Sequence, residues 1–176
     1  MNRFVIISGC SGGGKSTLLA EFCRRGYSVV EEPGRRIIKE ETDHGGQAVP
    51  WIDMTAFLRR NFEMALADRA SASTSERWVF FDRGVVDAAV ALQEMTGEPL
   101  INTLGQSFRY HRRVFLAPPW PEIFEQDPGR RHDMHAALAE YSSLLRVYPM
   151  LRYEVLTLPK IGVSERADFV LNALDD

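Results

Sequence analysis

The chain is poor in cysteine: only Cys10 and Cys23 occur in 176 residues. A disulfide framework needs more, so a small crosslinked secreted scaffold is excluded and a reducing compartment is expected. Long apolar runs are also missing. The opening run Phe4-Val5-Ile6-Ile7 is too short for a signal-peptide core. Nothing approaches the roughly 20 apolar residues of a membrane span. A cytoplasmic protein without a membrane span is the expectation by elimination. A basic surplus is absent too, with 21 Lys and Arg against 24 Asp and Glu, a net charge of −3. Nucleic-acid binders gain affinity by neutralising phosphates with such a surplus, so no nucleic-acid partner is expected. No repeat or low-complexity tract is present, which excludes solenoids and repeat arrays.

What remains is ordinary globular material, 45% apolar and 26% charged. One domain over residues 1–176 is expected, burying roughly 70% of the surface of its unfolded chain. Short apolar runs at 4–7, 27–31, 78–81, 113–116 and 153–156 read as strands. Between them lie helical patterns. The first carries Leu18, Leu19, Phe22 and Cys23 and stops near Gly26; Cys23 is expected in the core. Others are expected near 35–42, 52–70, 86–95 and 100–108. A long one places Met134, Ala137, Leu138, Tyr141, Leu144, Leu145 and Tyr148 on one face and ends at Pro149. The last is capped by Ser164 and buries Ala167, Val170, Leu171 and Leu174. Strands alternating with helices imply an α/β fold with a five-stranded parallel sheet covered by helices on both faces.

Between the first strand and the first helix stands Gly9-Cys10-Ser11-Gly12-Gly13-Gly14-Lys15-Ser16-Thr17. It meets the pattern G-x-x-x-x-G-K-[ST] in full. Glycines let successive N–H groups curl inward as an anion nest, and the following helix N-terminus adds partial positive charge. In this pattern Lys15 reaches the β- and γ-phosphates, the Ser16 hydroxyl ligates Mg2+, and Thr17 can bond the α-phosphate. Ser11, Gly12 and Gly13 line the same nest. Cys10 is read as tolerated by the loop rather than reactive. No Asn-Lys-x-Asp guanine motif occurs, which leans toward ATP over GTP.

Ligands of a parallel sheet sit beyond the carboxyl ends of its strands. One end carries Glu31-Glu32-Pro33, another Asp82-Arg83-Gly84. Asp82 closes an apolar run and can hold Mg2+ directly or through water, or cap the next helix. Arg83 can grip a phosphate or sugar hydroxyl, or serve a structural ion pair. Glu32 is a candidate base toward an acceptor hydroxyl, with Glu31 the alternative. Arg35 and Arg36 could face an acidic substrate or solvent. A lid is expected around 120–135, where Arg130 and Arg131 would stabilise a transferring phosphoryl group and Asp127 would fix the lid or approach substrate. Lys160, in the loop after the fifth strand, either packs on the nucleotide base or belongs to a plain connector.

These segments resemble the P-loop kinases related to nucleoside and nucleoside-monophosphate kinases. Within these the chain is similar to the AAA-domain group that includes the ribosylnicotinamide kinase domain of a bacterial NAD regulator. The resemblance rests on Gly9 to Thr17, Glu31 to Arg35, Phe81 to Gly84, Asp127 to Arg131, and the ending Leu158-Pro159-Lys160 through Val163, Arg166 and Phe169. It implies the sheet order 2-3-1-4-5, an arginine lid, Glu32 as the base and Arg83 as a substrate or phosphate contact. Deoxynucleoside kinases carry Ser after the acid–Arg pair, where this chain has Gly84. Arg83 also stands where motor ATPases carry a second acid, which favours transfer to a bound acceptor over a hydrolysis motor. The expectation is a kinase using Mg-ATP on a small-molecule acceptor, monomeric or homodimeric. The alternative is a nucleotide-dependent switch or slow NTPase with a protein or lipid partner.

Overall fold

A computed structural model describes residues 2–72, 77–104, 108–123 and 134–175. The chain divides into two compact units. The first comprises residues 1–30, 75–82 and 110–176, the second residues 31–74 and 83–109.

The first unit holds the sheet: β1 (Phe4–Gly9), β2 (Ser28–Val30), β3 (Val79–Asp82), β4 (Arg113–Ala117) and β5 (Glu154–Thr157). All pairings are parallel and the order is β2-β3-β1-β4-β5, as the resemblance implied. β1 is central and buried at every position, which explains its unbroken apolar run where an edge strand would alternate. This unit also holds α1 (Lys15–Arg24), α5 (Met134–Met150) and α6 (Val163–Asp175). Val5, Ile7, Phe80, Phe115 and Ala117 form one core with Leu18, Leu19 and Phe22 of α1 and Ala167, Val170 and Leu174 of α6. Phe22 stacks on Phe80 with ring centroids 3.8 Å apart. Burying each large side chain of this core is worth about 1.5–3 kcal/mol, which fixes α1 and the loop before it against the sheet.

The second unit holds α2 (Pro33–His44), α3 (Met54–Ser71) and α4 (Val85–Thr96). Ile37, Phe57, Leu58 and Leu92 form its core. Pro33 occupies the first turn of α2, where its missing N–H costs nothing, so the helix starts two residues earlier than the pattern suggests. Asp53 caps α3 by accepting from the Ala56 amide at 2.9 Å. Arg60 pairs with Glu40 and Glu41 across α2 and α3, and Arg36 with Asp68.

Several sequence expectations need correction. Cys23 is exposed, because the α1 stripe turns Leu19 and Phe22 inward and leaves position 23 outside. Residues 100–108 form only a 3-10 turn at Ile101–Thr103 among their described members. There the Thr103 hydroxyl donates to the Leu100 carbonyl at 2.7 Å, competing with helical bonding. α5 buries Ala137, Ser143, Leu144, Val147 and Tyr148 while Leu138 and Leu145 are exposed, so its stripe is rotated from the expected one. Ser164 lies inside α6, where it accepts from Arg25; the amide before the helix, Gly162 N–H, is taken by Glu165 instead.

Candidate functional site

In the first unit β1 runs directly into a loop that folds by backbone constraint. Gly9, Gly12 and Gly14 have φ of 109°, 74° and 76°, where side chains are disfavoured. A Cβ on Gly9 would lie 2.3 Å from the Ala117 carbonyl oxygen, so β4 admits only glycine at this point. The Cys10 amide donates to that same oxygen at 2.8 Å and the Gly13 amide to the Cys10 carbonyl at 3.2 Å, closing the curl. The Cys10 thiol is buried and donates to the Ala137 carbonyl of α5.

Gly14 is the N-cap of α1, and having no side chain it covers none of the first-turn amides. The first turn carries no acid. Ser16 and Thr17 on it are exposed. Lys15 is buried, with Nζ donating to the Cys10 carbonyl at 2.9 Å, so the ammonium folds back along the loop. The result is a glycine-shaped loop leading into an uncapped, acid-free helix N-terminus with one ammonium folded along it, features of the kind that suit phosphate oxygens. Asp82 ends β3 as a buried carboxylate, paired in register with Ile7 of the neighbouring strand. After β5, Leu158 is anchored by its amide on Leu116, while Lys160 two residues on is exposed.

In the second unit a cluster of side chains forms around Glu32, the N-cap residue of α2. Glu32 Oε1 lies 3.4 Å from Arg83 Nε, and Oε2 lies 3.4 Å from Arg35 Nε. Arg83 is held in the left-handed backbone region at φ 64°, a strained setting for a non-glycine residue. Its Nη1 lies 3.9 Å from Asp87 Oδ1, and Asp87 Oδ2 accepts from the Gly84 amide at 2.9 Å. Gly34 keeps the cluster tight: a Cβ there would be 3.1 Å from Asn61 Nδ2 and 3.2 Å from Phe57 Cζ. Glu31, beyond the end of β2, is exposed, and its carbonyl accepts from Arg36.

The structure therefore brings together Gly9, Ser11, Gly12, Gly13, Gly14, Lys15, Ser16 and Thr17 in one loop, and Glu32 with Arg83 in one cluster. Asp127, Arg130 and Arg131 lie outside the described residues. Two residues go beyond the roles read from sequence. Asp87 stands four residues after Arg83, a helical ion-pair spacing that could have been noticed. Arg166, singled out only by resemblance, donates to the phosphate loop. A lone arginine in an amphipathic helix gives no sequence signal of that kind.

A family model described as an AAA domain matches residues 4–166. No curated protein sequence matches the chain. Among solved structures, the chain is similar to shikimate kinase from Acinetobacter baumannii in complex with shikimate, at 13% identity and a TM-score of 0.60, covering 99% of this chain and 93% of that one. It is similar to deoxyadenosine kinase from M. mycoides with bound dATP, at 13% identity and a TM-score of 0.57, covering 99% and 100%. It is also similar to NadR in complex with NR, at 16% identity and a TM-score of 0.66, covering 98% of this chain but 50% of that one. These likenesses show a P-loop kinase-like fold. Among the described residues no helix is long and apolar enough to cross a membrane.

Proposed function

The chain belongs to the AAA-domain family, and on that premise we propose that it is a small-molecule kinase that moves the γ-phosphoryl group of ATP to a bound acceptor, a nucleoside or nucleotide being the first class to test. The observation that supports this most is the open, acid-free first turn of α1 with Lys15 folded against the loop that precedes it. That arrangement favours a polyphosphate over a neutral ligand, because an uncapped helix N-terminus without an acid and the Lys15 ammonium both attract negative charge. The structural neighbours named above act on small molecules, which makes transfer to an acceptor the preferred reading over hydrolysis.

Lys15 exchanges its contact with the Cys10 carbonyl for the β- and γ-phosphates. Ser16 and Asp82 fit Mg2+, since both present hard oxygen donors, one an exposed hydroxyl and one a buried carboxylate. When bound, that ion neutralises charge on the phosphates. Glu32 accepts the proton of the acceptor hydroxyl as its oxygen bonds to the γ-phosphorus, and the bond to the bridging oxygen breaks to release ADP. Arg83 orients the acceptor or its phosphate, and the two acids beside it hold its guanidinium in one position. Arg130 and Arg131 stabilise the charge of the transferring group, and Lys160 packs on the base. Residues 1–176 act as one catalytic domain.

The test is coupled ADP release screened over nucleosides, mononucleotides, sugars and hydroxy acids, with Lys15→Ala as the blank. Release that rises several-fold with one acceptor class supports the reading. Release insensitive to every acceptor, but tuned by a protein or lipid partner, overturns it.

A further inference from the structure

α6 carries a buried cation that the phosphoryl transfer described above does not use. Arg166 is 2% exposed. Its Nη2 donates to the Gly13 carbonyl at 3.0 Å and its Nη1 to the Gly14 carbonyl at 3.2 Å. Its guanidinium lies 5.4 Å from the centroid of the Trp120 ring. Nε finds no hydrogen-bond acceptor, and among the described residues no carboxylate pairs with the group. Burial pushes the Arg166 pKa down, yet a guanidinium stays charged at neutral pH. A buried charge without a counter-charge is costly, and a leucine or methionine on this face of α6 would pack more cheaply.

Peptide geometry gives the arginine its meaning. In a trans peptide the C=O and the following N–H point in opposite directions. Holding the Gly13 and Gly14 oxygens toward α6 turns the amides of Gly14 and Lys15 the other way, and at Gly14 the Leu18 amide, donating to the same carbonyl at 3.3 Å, shares in that orientation. A Cβ on Gly14 would come within 2.7 Å of Arg166 Nη1, so the glycine and the arginine fit one another. Trp120 covers the guanidinium and limits its screening by water.

We propose that Arg166 is a positioning residue for a nucleoside triphosphate: it orients the Gly14 and Lys15 amides toward the phosphates and supplies a fixed positive charge behind them. This rests on the reading of the loop as a triphosphate site. The two requirements are separable. Lysine keeps the charge but can span the two carbonyls less well, and methionine keeps the stem alone.

Calorimetry with Mg-ATP on the full chain tests the inference, using the native protein, Arg166→Lys and Arg166→Met, with thermal melts confirming that each is folded. Arg166→Met should weaken binding roughly 10-fold or more and Arg166→Lys roughly 3-fold. Added salt should lower the affinity of the native protein more steeply than that of Arg166→Met. A folded Arg166→Met that binds within twofold of native overturns the proposal, as does a lysine variant no better than the methionine one. If Arg166→Met does not fold, Arg166→Lys binding as tightly as native has the same force. Failure of the native chain itself to bind Mg-ATP would sink the triphosphate site, a separate result.

Discussion

The phosphate loop and the Glu32 cluster are built from different material. The loop is made of main chain: glycines at φ 109°, 74° and 76°, a Cys10 amide tied to the Ala117 carbonyl of β4, and Gly13 and Gly14 carbonyls held by Arg166 set its course. The Glu32 cluster is made of side chains, one carboxylate between Arg35 and Arg83, with Asp87 behind Arg83. A site of backbone amides is fixed once the chain is folded, and it recognises a charge class. A site of side chains is tuned by each residue type, and it can move a proton. The first suits the invariant part of a phosphoryl transfer and the second the variable acceptor.

The largest effect should come from the one cation that the loop itself carries. Lys15→Ala should lower turnover about 10³-fold, the scale of losing a preorganised electrostatic contact, while the melting temperature stays within a few degrees. ADP release and thermal melts check it. Native-like turnover in the folded variant would end the assignment. Next comes the backbone. Gly9→Ala sets a strained φ against a Cβ 2.3 Å from a β4 carbonyl, and should cost about 3 kcal/mol of stability, read from denaturant midpoints. A variant as stable as native would show that the loop is not held by its backbone.

The same contrast explains what was legible. The loop could be read residue by residue, because glycine spacing dictates conformation and conformation dictates the nest. The parallel sheet followed from the alternation of apolar runs with helical patterns, and its strand order from the resemblance to the P-loop kinases. Glu32 and Arg83 were visible only as charges after strands; their contact at 3.4 Å depends on how α2 and α4 enter their turns. Arg166 was invisible as a loop contact, since 152 positions separate it from Gly14 and no local pattern encodes that approach. Cys23 and the α5 stripe were misread because helical periodicity fixes a stripe but not which flank of it faces the core.

Glu32→Gln sharpens the division of labour. Amide for carboxylate keeps the shape and removes the proton acceptor. Turnover with a productive acceptor should fall about 10²-fold while the Mg-ATP dissociation constant stays within twofold. A loss of nucleotide affinity equal to the loss of turnover would mean that the cluster serves binding, and the contrast with the loop would fail.

The smallest effect comes from a look-alike. Glu21 on α1 also sits between two arginines, accepting from Arg24 at 2.7 and 2.8 Å and from Arg25 at 2.7 Å, and Arg25 goes on to Asp168 of α6. Those hydrogen bonds, Arg24's first, hold the Glu21 pKa down at about 2 against an ordinary 4.5. A carboxylate with a depressed native pKa stabilises the fold above the unfolded value and loses that contribution as pH falls toward the native one. The native protein should therefore be slightly more stable than Glu21→Gln at pH 6, with the gap in urea midpoint narrowing from pH 4.5 downward. Arg24 is largely exposed, so solvent keeps the gap small. Turnover at neutral pH should not change. If Glu21→Gln slowed the reaction as much as Glu32→Gln, a carboxylate between two arginines would be no guide to chemistry, and the role given to Glu32 would have to rest on something other than its charge neighbours.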